Sequence, residues 1–400
     1  MAFFLTKRKV EAKTLGIYVH IPFCKSKCEY CDFYSLGGSR DGRTTDRYLR
    51  ALADHIKESG KLATGYVVDT VYFGGGTPSF FGAQNLEKIL DEIQHRFRIS
   101  PEAEITLEAN PDSVTRKDLH RLIRAGFNRI SIGVQSDSDE MLKKLGRPHN
   151  FEQAQQAMER ARQAGFANIS LDLMYGLPNQ SLSAWKETVE HIAQMKPEHI
   201  SCYGLKVEEN TPLWNYQDCA GLPDDDVQAE MYLAACDILR DYGYEHYEIS
   251  NFAKRGFASR HNLKYWTGGE YLGFGPTAAS DFAGKRFTIL RDLDGYMDGI
   301  AQQGQILSDC ETLPLRDRAG EYIMLRLRTS QGINADEYER NYLMPFKDLE
   351  QMLVKLEEKG LTAQRDGRWC LTERGWLLSN RIIVALQELQ ERSTPLAKKR

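Results

Sequence analysis

The strongest constraint on this chain is an alternation that runs through its first half. Short runs rich in β-branched and aliphatic residues at Ile17–Ile21, Val67–Phe73, Glu104–Glu108, Arg129–Val134, Asn168–Met174 and Ile200–Leu205 predict six strands. Between them, Thr45–Glu58, Ala83–Arg96, Lys117–Ala125, Phe151–Ala164 and Ser183–Gln194 carry apolar residues at helical spacing. Gly126 and Gly165 each follow such a helix, where a left-handed cap belongs. Strands separated by helices pair in parallel, so the pattern predicts an α/β fold, a partial (β/α)6, TIM-like barrel. Its site should lie at the carboxyl ends of the strands.

The rest of the chain departs from that period. A helix over Asp224–Tyr242 leads into a glycine- and aromatic-rich segment ending near Phe287. Beyond it, a helix over Phe346–Glu358, a hairpin over Leu361–Leu371 turning at Asp366-Gly367, and a helix over Gly375–Leu389 form a winged-helix-like module. The expected organisation is a core over 1–215, a smaller α/β extension over 216–309 and the winged-helix-like module over 310–400. That last stretch holds 16 Lys/Arg against 14 Asp/Glu, a net of +2. A DNA-reading wing is normally more basic, so packing or partner docking is favoured. The whole chain carries a net −4, which also argues against a nucleic-acid partner. No apolar run reaches the ~20 residues of a membrane span. The first residues place apolar side chains before basic ones, the reverse of a secretory leader, and predict a cytoplasmic protein. The tail Ser393–Arg400 is expected to be disordered.

Three of the eight cysteines fall together directly after the first strand, as Cys24-Lys-Ser-Lys-Cys28-Glu-Tyr-Cys31. Iron–sulfur clusters are held by thiolates, usually four per cubane, so three close ligands with no nearby fourth leave one iron open to bind a ligand. Lys25 and Lys27 are expected to lower the thiol pKa values. Coincidental buried cysteines, or a zinc site completed by His20, are the competing readings. Zinc motifs usually use two C-x₂-C pairs, and no second pair exists here. The other cysteines (Cys202, Cys219, Cys236, Cys310, Cys370) have no partner at ligand spacing and read as small buried or surface residues. Only Cys202, ending the sixth strand, is expected to face the barrel.

With Tyr18-Val-His-Ile-Pro-Phe-Cys24 before the loop and Asp32-Phe33-Tyr34 after it, the sequence closely resembles the radical S-adenosylmethionine proteins of the HemN/HemW group, over roughly residues 15–390. The resemblance implies a radical SAM barrel in which Cys24, Cys28 and Cys31 hold a [4Fe–4S] cluster. Its open iron would bind S-adenosylmethionine, and one-electron transfer would cleave that sulfonium to a 5′-deoxyadenosyl radical. It also implies cofactor contacts at Gly75, Gly76 and Thr77 of Gly74-Gly-Gly-Thr-Pro78, at Glu108, Gln135, Arg147 and Asp172, and at Tyr18 and Tyr30. These chemistries suit the roles: Asp172 matches ribose hydroxyls, and Arg147 a carboxylate. Without the resemblance, each polar residue would read equally as a rim salt bridge.

Phe33 stands where the oxygen-independent coproporphyrinogen oxidases of this group carry a fourth cysteine, and only 23 residues precede the cluster. Both features resemble instead the HemW-like haem chaperones. So does His261-Asn-Leu-Lys-Tyr265-Trp266, similar to their H-N-x-x-Y-W motif. The residues alone leave His261 open between a packed core histidine and an iron ligand. The resemblance implies that His261, Tyr265 and Trp266 contact haem. Ala279 stands where many relatives carry a histidine, so no second haem contact is assumed there. The implied function is haem binding and delivery to respiratory haem proteins, without coproporphyrinogen dehydrogenase activity. A radical enzyme acting on a tetrapyrrole, by decarboxylation or methyl transfer, is the alternative; an iron–sulfur regulator using the C-terminal module is a third. Peripheral membrane association and a homodimer stay open.

Overall fold

The computed structural model describes residues 13–38, 41–219 and 221–396, with the side chains of residues 216, 217 and 219 left aside. Six parallel strands form the centre: β1 (Lys13–Ile21), β2 (Tyr66–Gly75), β3 (Ile99–Ala109), β4 (Arg129–Gln135), β5 (Asn168–Tyr175) and β6 (His199–Gly204), hydrogen-bonded in that order. Each coincides with a predicted run to within five residues at either end.

Side chains alternate across these strands, and the alternation separates two environments. Ile17, Val71, Phe73, Ile105, Leu107, Ile130, Ile132, Leu171 and Ile200 are buried in the large apolar cluster, against the helices. The intervening positions are polar or aromatic and turn into the lumen: Tyr18, Thr70, Tyr72, Glu104, Glu108, Ser131, Ser170, Asp172, His199 and Ser201, joined by hydrogen bonds and ring contacts. Each fully buried aliphatic side chain in the outer layer contributes about 1.5–3 kcal/mol. The helices α1 (Gly42–Leu62), α2 (Ala83–Arg96), α3 (Arg116–Ala125), α4 (Phe151–Ala164) and α5 (Leu182–Gln194) cover that layer. Asn150 and Gln153 close a reciprocal cap at the start of α4. Gly126 and Gly165 take left-handed φ values of 114° and 108° after α3 and α4, as the sequence predicts.

The register places Cys202 beside Leu173, on the helix-facing side. It is 2% exposed in the apolar cluster, while its neighbour Ser201 donates to Asp172 in the lumen. The expectation that Cys202 faces the barrel therefore fails by one residue of the strand period.

Beyond α6 (Asp225–Asp241), capped by Asp224, the chain enlarges the same sheet at both edges. The pair β7 (Glu245–Glu248) and β8 (Asn251–Ala253) adds to β6. The chain then crosses to the opposite edge. Here β9 (Tyr271–Phe274) pairs in parallel with β1, and β10 (Ala279–Phe282), β11 (Lys285–Ile289) and β12 (Leu307–Glu311) follow antiparallel. Among the described residues the sheet thus has twelve strands, in the order β12-β11-β10-β9-β1-β2-β3-β4-β5-β6-β8-β7. The crossing segment carries α7 (Arg260–Trp266), the helix of the H-N-x-x-Y-W motif.

The C-terminal part adds two helices that the apolar spacing did not predict, α8 (Leu315–Arg326) and α9 (Ala335–Tyr342), before α10 (Lys347–Glu357). Asp366 and Gly367, with φ of 48° and 72°, turn the hairpin β13 (Thr362–Arg365) to β14 (Arg368–Leu371). The predicted last helix is two: α11 (Glu373–Leu377) and α12 (Ser379–Arg392), broken at Leu378. Trp376 holds the first of them to the α8 end through an indole hydrogen bond to the Leu327 carbonyl, 2.8 Å. Of the tail expected to be disordered, Leu396 is tied by its amide to the Leu343 carbonyl at 2.7 Å; residues 397–400 lie outside the described residues.

Candidate functional site

The cysteine loop leaves β1 through Pro22 and is anchored at its base by a two-residue parallel bridge, Phe23–Cys24 against Leu36–Gly37. Cys24 and Cys28 are buried and Cys31 half-buried. The three thiols are close enough to act on one another electrostatically, and burial raises Cys24 and Cys31 above the usual thiol range. This overturns the expected effect of the lysines. Lys25 is engaged by Asp112 at 2.9 Å, and the pull of Lys27 on Cys31 is weaker than desolvation. His20, the alternative fourth metal ligand, has both ring nitrogens engaged, by the Tyr18 hydroxyl at 3.0 Å and the Tyr34 carbonyl at 2.8 Å.

The glycine segment after β2 is stitched to this loop. Gly76 and Thr77 donate their amides to the Ile21 and Phe23 carbonyls, both at 2.8 Å, and the Thr77 hydroxyl points to Cys24 Sγ at 3.4 Å. A Cβ on Gly76 would stand 2.8 Å from those same carbonyl oxygens, so the bare backbone serves this internal seam. From Thr77 the contacts continue to Asn110 Nδ2 at 3.3 Å, and from Asn110 Oδ1 to the Arg147 guanidinium at 2.6 Å. Arg147 also donates to the Gly133 carbonyl at 2.8 Å and reaches Cys28 Sγ at 3.5 Å. Tyr30 is half-buried beside it, its phenol pushed up by desolvation and drawn back by the Arg147 charge. Gln135 ends β4 in a left-handed conformation, φ 70°, with its amide against Gly133. The structure therefore gathers Cys24, Cys28, Cys31, Tyr30, Gly76, Thr77, Gln135 and Arg147 at one rim. Asn110 belongs there too, although no sequence motif singled it out. It stands two residues beyond Glu108 in Thr-Leu-Glu-Ala-Asn-Pro, where the strand-end argument could have found it.

Glu108 and Asp172 lie lower. Glu108 accepts from the Tyr72 hydroxyl at 2.8 Å and the Gly75 amide at 3.2 Å, and burial pushes it up to about 7. Asp172 is in mid-strand, below the rim predicted for it. Burial raises its pKa, opposed by hydroxyl hydrogen bonds from Ser201, Ser131 and Ser170.

Below them α7 floors the lumen. Glu104 accepts the backbone amides of Arg260 and His261 at 3.1 and 3.0 Å, and Lys264 pairs with Asp69 at 2.9 Å. His261 is 1% exposed, with Nδ1 on the Thr70 hydroxyl at 2.9 Å and Nε2 on the Tyr265 hydroxyl at 2.8 Å. Burial lowers its pKa to about 3, so the ring is neutral. Its face stacks on Tyr72, centroids 5.1 Å apart, and Tyr72 in turn stacks with Tyr18. Trp266 hydrogen-bonds toward Glu248, which burial pushes up to about 7. Thr70 and Gly74 are four strand steps apart on β2, so the motif lies roughly 13 Å beneath the rim. One column of contacts, His261–Tyr72–Glu108–Gly75, joins the two predicted sites. Ala279 sits apart from it, at the start of β10 and paired with Thr288.

The residues fit a cluster with S-adenosylmethionine. Three thiols converge, and His20 beside them has no ring nitrogen free to complete a zinc site. The Arg147 Nε is buried without a hydrogen-bond partner among the described residues, beside Cys28. Residues 18–192 match the Radical SAM superfamily, and 313–378 match the HemN C-terminal domain. The backbone is similar to coproporphyrinogen III oxidase (HemN) of Escherichia coli, with a TM-score of 0.82 at 23% identity, covering 94% of this chain and 91% of that one. Fold and sequence together define a radical S-adenosylmethionine protein. Among characterised relatives, the heme chaperone HemW of Bacillus subtilis is 35% identical over 374 residues, 92% of this chain and 98% of its own. Its Escherichia coli counterpart is 33% identical over 374 residues, 94% and 98%. The chain belongs to the HemW family. Among the described residues, no helix is long and apolar enough to cross a membrane.

Proposed function

We propose that this chain is a haem chaperone: it binds haem and passes it to respiratory haem proteins, in the cytoplasm where clustered thiols stay reduced. In this reading Cys24, Cys28 and Cys31 hold the [4Fe–4S] cluster. Arg147, Glu108, Gln135, Asp172, Tyr18, Tyr30 and the Gly75–Thr77 backbone bind and orient S-adenosylmethionine. When bound, that pair supplies one-electron radical chemistry; the protein supplies binding and orientation. His261, Tyr265 and Trp266 serve haem. The core to about residue 215 would carry the cofactors, 216–309 the haem motif, and 310–400 the recipient.

The observation that carries the reading is the end-to-end match to relatives named heme chaperone HemW, joined to the intact motif on α7. His261 can meet iron only by giving up one hydrogen bond. Nε2 is the nitrogen to be freed, because its partner is a tyrosine on the same short helix whereas Nδ1 is tied to the sheet. The test is anaerobic reconstitution followed by titration with haem. A Soret band saturating at fixed stoichiometry, with coproporphyrinogen left unconverted, supports the chaperone; efficient decarboxylation supports the tetrapyrrole enzyme instead.

A further inference from the structure

Outside the lumen, α6, β7 and α11 bring three unlike side chains together at the edge of a cavity of about 560 Å³. These are Cys236, His246 and Glu373, and their ligand atoms all lie within 4.8 Å of one another. We propose that they form a binding site for one divalent metal of the zinc class, which clasps the C-terminal module to the extended edge of the barrel sheet.

The geometry is specific. Cys236 Sγ and His246 Nδ1 are 3.6 Å apart. Zinc–sulfur and zinc–nitrogen bonds of about 2.3 and 2.0 Å at a tetrahedral angle give an edge of about 3.5 Å. The pair is spaced for a shared metal before any metal arrives. His246 Nε2 faces the Ile249 carbonyl at 3.4 Å, which fixes the proton on that nitrogen and leaves the Nδ1 lone pair on the side of the sulfur. Metal-ligating histidines are oriented in this way, by donating the second ring N–H to a carbonyl. The ring is held from both sides, stacked on Phe252 with centroids 4.0 Å apart and met edge-on by Trp376 at 4.4 Å. Glu373 is steered by Arg240, which hydrogen-bonds its carboxylate oxygen Oε1. Thiolate, imidazole and carboxylate suit zinc, and the cavity leaves a fourth position for water. Binding balances by displacing the Cys236 thiol proton to solvent, so affinity rises with pH.

Cys236 and His246 come from the extension that widens the barrel's sheet at its β6 edge, whereas Glu373 lies within the segment that matches the HemN C-terminal domain. A metal here would cross-link two parts of the chain about 130 residues apart. No short-range spacing announces it, which is why Cys236 reads from the sequence as an unpartnered cysteine.

The test uses the full chain with Cys24, Cys28 and Cys31 changed to serine, so that the cluster loop cannot compete, titrated with cobalt(II) alone. One equivalent should give thiolate-to-cobalt charge transfer and the intense visible bands of a tetrahedral ion. Cys236→Ser should remove the charge transfer, and His246→Gln should weaken binding by more than the roughly 10–100-fold that an outer partner costs. A second measurement needs no change in the loop: zinc and iron counted in the cluster-loaded parent after dialysis against zinc. About one zinc per chain, lost in Cys236→Ser with iron unchanged, agrees with the site. Absence of a thiolate band and of bound zinc, or a band that survives Cys236→Ser, overturns it.

Discussion

Replacing Tyr265 with phenylalanine separates two roles that the lumen assigns to one hydroxyl. The Tyr265 ring packs edge-on against His261 and Tyr271, with centroids 5.1 and 4.6 Å away, and phenylalanine keeps both contacts. Only the 2.8 Å bond to His261 Nε2 disappears. A buried hydrogen bond is worth a net of about 0.5–1.5 kcal/mol. If haem iron must take Nε2 from that bond, Tyr265→Phe removes the competitor, and haem affinity should rise by about 2- to 13-fold. The same loss should lower the free protein's unfolding stability by a similar amount, visible as an earlier urea midpoint at unchanged slope. His261→Ala should act in the opposite direction on haem and cost more stability. It leaves the Thr70 hydroxyl orphaned at about 1–3 kcal/mol and removes the stack on Tyr72. Through Tyr72 and Glu108, it should also weaken the response of the reduced cluster to S-adenosylmethionine. The assay is a Soret titration of both variants beside the parent, with matched urea melts. Weaker haem binding in Tyr265→Phe at unchanged stability would refute the competition argument and make the hydroxyl itself the haem contact.

Three further outcomes concern the rim and the C-terminal module. Cys24→Ala, Cys28→Ala and Cys31→Ala should each abolish the brown chromophore and the reduced-cluster paramagnetic signal; full-yield [4Fe–4S] in all three would remove the ligand assignment. Arg147→Ala should weaken the S-adenosylmethionine-induced spectral change by roughly 1.5–3 kcal/mol, about 10- to 150-fold in Kd, if a charge-assisted pair is lost; an unchanged titration would leave Arg147 as a clasp between Asn110 and Gly133. Arg368, hydrogen-bonded to Glu337 through two nitrogens at 2.8 Å, holds that carboxylate at about 2. The folded value lies below the ordinary one near 4.3, so the contribution is full above about pH 4.3 and is lost as pH falls toward 2. Glu337→Gln should flatten that acid limb in pH-dependent melts, and an unaltered limb would count against the pairing.

The parts of this fold that were legible in the sequence are those set by local period. The six core strands and five of their helices follow from apolar spacing, and Asp366-Gly367 fixes the hairpin because both positions need positive φ. What a strand pairs with is set by distant chain, and that was hidden. Nothing in Tyr271–Phe274 says that it will lie beside Lys13–Ile21, or that residues 245–253 will close the opposite edge. Cys202 shows how sharp the limit is, since a shift of one residue decides lumen or helix side. The lysines beside the cysteines mislead for another reason: their charge is visible in the sequence, whereas the burial that outweighs it is not. The candidate site residues were named from the family resemblance, with the strand-end rule giving only their expected place; Asn110 was missed although it obeys that rule. Asp172 was set too high, because position along a strand does not give depth.

The helix that floors the lumen arrives late in synthesis. Thr70 and His261 touch across 191 residues of chain. A ribosome adding about 5–20 residues per second needs roughly 10–40 s to cover that interval. Through this time the six core strands can pair and the cysteine loop is complete, yet Glu104, Asp69 and Thr70 still face water from below. Closure must then bring one short segment across from the β6 edge to the β1 edge, a non-local step of the kind that slows folding. The nascent barrel is therefore an open tube before it is a cup, and its inner polar groups are reachable from a side that the finished protein has sealed.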